Sequence, residues 1–68
     1  MSTERLLMRF PMIARVLLTE YRDRLGGANI TWLGHRLEHN DWEIQDAVRL
    51  REIMPAAALW LETGTLTD

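Results

Sequence analysis

At 68 residues with a net charge of −2 and no cysteine, the chain has room for one small domain with a modest core. Disulfides and thiolate zinc sites are excluded, so apolar packing, hydrogen bonds or a partner subunit must hold the domain together. The longest apolar run, residues 53–61, is far too short to span a bilayer. The start, Met1-Ser2-Thr3-Glu4-Arg5, lacks the basic-then-apolar profile of a signal peptide. The expectation is a cytoplasmic protein without membrane contact, for which the glycosylation pattern Asn29-Ile30-Thr31 has no use.

All eight basic residues are arginine. Residues 1–36 hold six of them against three carboxylates, a local charge of +3, and residues 37–68 hold two against seven, a local charge of −5. Such asymmetry could steer a charged partner or pair two copies head to tail. It is equally the pattern of two solvated faces that differ by chance.

In chain order, Arg5 to Phe10 alternate as a short strand would, with Leu6, Met8 and Phe10 on one side and Arg5, Leu7 and Arg9 on the other. An N-terminal extension of the first helix, or a loose arm, is the plainer reading of the same residues. Pro11 suits the first turn of a helix, where its missing N–H is no loss. From 12 to 25 the pattern is helical: Ala14, Leu17, Leu18, Tyr21 and Leu25 form a stripe that Ile13 and Val16 widen. Arg22 and Arg24 suit its C-terminal end, and Gly26-Gly27 stop it.

Residues 29–54 read as two helices in tandem and as the centre of the fold. Asn29 and Asn40 stand where N-caps would, and Glu43 three residues after Asn40 approximates a capping box. The second helix, 30–38, aligns Ile30, Leu33 and Leu37, with Gly34 weakening its middle. The third, 41–54, carries two apolar patches: Ile44, Ala47 and Val48, and a stripe of Ala47, Leu50 and Met54 that continues to Leu61. Pro55 interrupts that stripe, so a last helix is expected over 56–63, ended by Gly64 and followed by a frayed tail, 65–68. The fold class is all-α: three to four short helices around a helix-turn-helix-like core, within one domain, 1–68.

Two resemblances follow from these residues. Trp32-Leu33-Gly34-His35-Arg36-Leu37 resembles the first helix of the helix-turn-helix in Cro/CI-like phage regulators, with Gly27 and Asn29 ahead of Leu33 and Ile44 at an apolar position of the recognition helix. Leu59-Trp60-Leu61-Glu62-Thr63-Gly64 is similar to the close of many phage repressors. Glu38 and His39 replace the glycine and small apolar residue of that family's turn. Leu7-Met8-Arg9-Phe10-Pro11 resembles the start of ribbon-helix-helix repressors, in which a strand pairs across a dimer and reads the major groove.

Few constellations carry chemistry. His35 and His39 have a spacing that can chelate a metal, yet Arg36 stands where a zinc protease needs Glu. A surface pair without metal is expected, and no cofactor. Asp41, Glu43 and Asp46 match neither a calcium loop nor a paired acid–base site. With no Ser/His/Asp set or phosphate-cradling loop, the chain is expected not to be an enzyme.

Two classes of function remain. The first is a small regulatory protein, of the kind a phage or mobile element encodes, that inhibits or modulates a protein by stoichiometric binding. Its interface would be Trp32, Asp41, Trp42, Glu43 and Asp46, with Trp42 exposed among carboxylates and facing a basic, nucleic-acid-binding surface of the partner. The second is a dimeric DNA-binding regulator of transcription. There Gln45 and Arg49 would read bases, Arg36 and Arg51 would touch phosphates, and Arg5 and Arg9 would act from the strand. The carboxylates on its recognition helix oppose that role. Apolar surface on two sides of the third helix also points to a homodimer.

Overall fold

The apolar stripe of the first helix does not stop at Pro11. In the computed structural model, which describes residues 3–66, α1 runs from Thr3 to Glu20 with Pro11 inside it. Leu6, Phe10, Ile13, Ala14 and Leu17 recur at helical spacing across the proline, and the last four are wholly buried. An interior proline removes a hydrogen bond and costs about 3 kcal/mol. Burying Phe10 and Ile13, at about 2 kcal/mol each, offsets it. Residues 5–10 are therefore an N-terminal extension of the first helix, and the alternative of a strand there is not realised.

The predicted helix 12–25 is broken near its end. Tyr21 leaves the helical conformation (φ −121°, ψ 17°), and α2 is a single turn, Arg22–Leu25. Gly26 takes φ +82°, a backbone state that favours glycine, and α3 starts at once, Gly27–His39. Asn29 thus lies inside the first turn of α3 and does not cap it. Its Nδ2 instead donates to the Leu25 carbonyl (2.7 Å), one of the acceptors left open where α2 ends. A Cβ on Gly34 would meet nothing within 4 Å, so close packing does not account for that glycine.

Asn40 also has a different role from the one predicted. It sits at φ 48°, ψ 44°, the left-handed C-cap of α3, and the chain is non-helical from 41 to 45 before α4, Asp46–Ile53. Asparagine suits both roles, because its short polar side chain tolerates the left-handed state and also caps N-termini. The roles separate on substitution. At this C-cap, Asn40→Gly should be neutral or stabilising, and Asn40→Ser should cost about 1 kcal/mol. An N-cap would rank them the other way, so paired urea melts decide between the two.

Met54 ends α4 in an extended conformation, its N–H on the Leu50 carbonyl. α5, Ala57–Thr63, closes at Gly64 (φ +75°) within a residue of the predicted bounds. The positive φ favours glycine at 64, and a Cβ there would also crowd the Arg9 guanidinium, with Nε 3.0 Å away. Arg9 Nη1 donates to the Leu61 carbonyl and to that of Glu62 (2.8 Å), supplying the last turn of α5 with donors. The tail is not frayed at Thr65 and Leu66. The Thr65 N–H donates to Thr63 Oγ1 (3.1 Å), and Leu66 packs half-buried on the core. Thr67 and Asp68 lie outside the described residues.

α1 is the hub. It packs on α5, α3 and α2, while α4 rests on α5. The innermost side chains are Phe10, Ile13, Leu17, Leu33, Leu50 and Trp60. Among the described residues the domain is thus all-α, five helices and no strand, and no helix is long and apolar enough to cross a membrane.

Candidate functional site

The predicted protein interface does not assemble as a surface. Residues 41–43 are irregular and not the first turn of a helix. Trp42 therefore turns inward, stacks on Phe10 (centroids 5.3 Å, planes at 22°) and is buried. Asp46 is buried as well, 6% exposed. Its Oδ2 accepts the Glu43 N–H (2.9 Å), so the first residue of α4 reaches back three residues and holds the connection that precedes it. From α3, Arg36 closes on the same carboxylate, with Nε 3.2 Å from Oδ2, and donates through Nη1 to the Asp41 carbonyl (2.8 Å). This clamp ties the connection 40–45 to both of its helices. Asp41 and Glu43 remain exposed, without an aromatic between them to anchor a partner.

The predicted DNA-reading set is also divided. Arg9 is committed to the carbonyls of α5 and Arg36 to Asp46 and Asp41. Arg49 donates through Nε and Nη2 to Asn29 Oδ1 (3.2 and 3.1 Å). Its guanidinium lies 4.3 Å over the ring of Trp32, a cation–π contact that leaves Trp32 half-buried. Arg9, Arg36 and Arg49 thus spend donors inside the molecule. Arg5, Gln45 and Arg51 are exposed, but Arg5 lies at the start of α1 and the other two at α4.

What the fold does bring together is the outer face of α4. Ile44 and Val48 are 42% and 49% exposed, although Ala47 between them is buried. A groove of about 420 Å³ runs beside them. Leu6, Ile44, Val48 and Leu61 form its apolar walls, and Arg51 and Glu62 its charged lining. A second groove on the other side of Val48 is lined by Gln45, Arg49, Glu52 and Ile53. The signal for this face was present in the sequence, because Ile44 and Val48 fall out of phase with the stripe through Leu50 and Met54. The burial of Asp46 had no comparable local signal, since it depends on Arg36 ten positions earlier.

His35 and His39 project from α3, both exposed, and no third His, Cys, Asp or Glu joins them in a cluster among the described residues. Compared with known proteins, the chain matches no family model, no curated protein and no solved structure.

Proposed function

We propose that this is a small non-enzymatic regulatory protein that binds a protein partner stoichiometrically through the outer face of α4. The observation that carries this reading is the exposure of Ile44 and Val48, 42% and 49%, beside a groove with apolar walls. Two neighbouring apolar residues, Val48 on α4 and Ile44 in the turn that leads into it, are the material of an interface centre. The lining is mixed in charge, Arg51 with Glu62 and Arg49 with Glu52. That favours an amphipathic segment of a partner, such as a helix with its own apolar stripe, over the basic surface that an acidic patch would attract.

A helix-turn-helix reading of α3 and α4, with DNA as ligand, is the second proposal. Exposed Gln45 and Arg51 support it, and a homodimer through the α4 face would fit it. The internal engagement of Arg9, Arg36 and Arg49 and the net charge of −2 count against it, because phosphate contacts supply most of the affinity of such proteins.

The test pairs capture from the native host with a salt-titrated DNA-binding assay, using wild type, Ile44→Asp and Val48→Asp. The two positions are exposed, so the variants should melt within about 0.5 kcal/mol of wild type. Each should weaken a purified 1:1 complex by about 2 kcal/mol or more, roughly thirtyfold. Specific, salt-dependent DNA binding by wild type would replace this reading with the second. Light scattering that shows a dimer broken by Val48→Asp, with no heterologous complex, would make a second copy the occupant.

A further inference from the structure

The last turns of α3 carry two imidazoles that the proposed interface does not use. His35 and His39 are both exposed, and their ring centroids are 4.3 Å apart with the planes at 43°. Coordination geometry gives that separation a meaning. A metal–nitrogen bond of about 2.1 Å places the ring centroid roughly 3.2 Å from the ion. Two rings on one ion then have centroids roughly 4.5 Å apart when the bonds meet at a right angle, and roughly 5.2 Å apart at the tetrahedral angle. The observed 4.3 Å is close to the right-angle value. Adjacent positions at a right angle belong to square-planar and octahedral ions, Cu²⁺ and Ni²⁺, whereas Zn²⁺ in its usual tetrahedral form would need the rings to spread.

The surroundings suit a cation better than the sequence alone suggests. Arg36, between the two histidines, has its charge held by Asp46 and Asp41. The pair lies in the C-terminal half of α3, where the helix dipole also favours positive charge.

We propose that His35 and His39 form a bidentate site for a divalent ion of the Cu²⁺ or Ni²⁺ type. The bound ion bridges one helical turn, and water completes its coordination shell. His39 directly precedes the left-handed Asn40, so the chelate fixes the turn from which residues 40–45, Ile44 among them, depart. The site is independent of the proposed function and stands or falls separately.

The test uses the full, untagged chain titrated with Ni²⁺ by calorimetry, with thermal melts alongside. Wild type should bind one Ni²⁺ per chain, and Tm should rise with ion concentration, since the ion binds the folded state. His35→Gln and His39→Gln should each remove the melt shift and weaken Ni²⁺ binding by roughly a hundredfold, the advantage of two-point attachment. Circular dichroism without metal should be unchanged in both. Ni²⁺ binding that survives in either variant at wild-type affinity would overturn the site. So would the absence of both heat and melt shift in wild type. Zn²⁺ binding tighter than Ni²⁺ would overturn the right-angle geometry.

Discussion

Trp42→Ala is expected to remove most of the domain's stability at 25 °C. The indole is buried and stacked on Phe10, and it is the inward anchor of an otherwise non-helical connection. Deleting a buried Trp side chain costs about 3–5 kcal/mol through lost contact and the cavity left behind. A domain of this length has a total stability near the low end of the roughly 5–15 kcal/mol range. Trp42→Phe should be far milder. It keeps a ring on Phe10 and removes an indole N–H that is buried without an acceptor, a group that costs stability as it stands. Urea unfolding followed by far-UV circular dichroism reads both. An alanine variant that melts with wild type would return Trp42 to the surface and restore it as an interface candidate.

Asp46→Lys has the second largest expected effect, a loss of about 3 kcal/mol. The substitution strips the Glu43 N–H of its acceptor and sets a second cation against Arg36, whose Nε lies 3.2 Å from the carboxylate. Breaking a buried pair typically costs about 3–5 kcal/mol, and the lower end applies because Arg36 keeps some access to water. Thermal melts at low and high salt check this: the loss should persist at high salt, since a buried pair is weakly screened. A variant as stable as wild type would mean that Asp46 faces solvent. Charge reversal at Asp46 is therefore a test of folding, and Asp41, which is exposed, is the position at which to probe surface charge.

What was legible in the sequence was local. The stripe from Ile13 to Leu17 repeats within one helix, and Gly64 announces its own backbone state, so these features needed no knowledge of the rest of the chain. Ile44 and Val48 stood out because they are out of phase with Leu50. The misread features depend on partners far away or on residues with two equally good roles. Asn40 reads the same as an N-cap and as a left-handed C-cap, and choosing the first turned Trp42 and Asp46 outward. Pro11 reads as a helix start unless Leu6 and Phe10 are known to have something to pack on. The arginines were harder still. Arg49 finds its acceptor 20 residues away and Arg9 its acceptor 53 residues away, and no pattern of spacing shows which guanidinium such acceptors will take.

The bond from Arg9 to the end of α5 bears on how the domain is made. Ribosomes deliver α1 first of the five helices and α5 last, yet α5 is one of the elements that α1 packs on. A nascent chain halted before Trp60 has neither that side chain for the core nor the Leu61 and Glu62 carbonyls to offer Arg9. Until then the face bearing Phe10, Ile13 and Leu17 lacks part of its cover and is open to water or to a chaperone. Closure of this domain is thus an event that follows translation of its last helix, and does not accompany the emergence of its first.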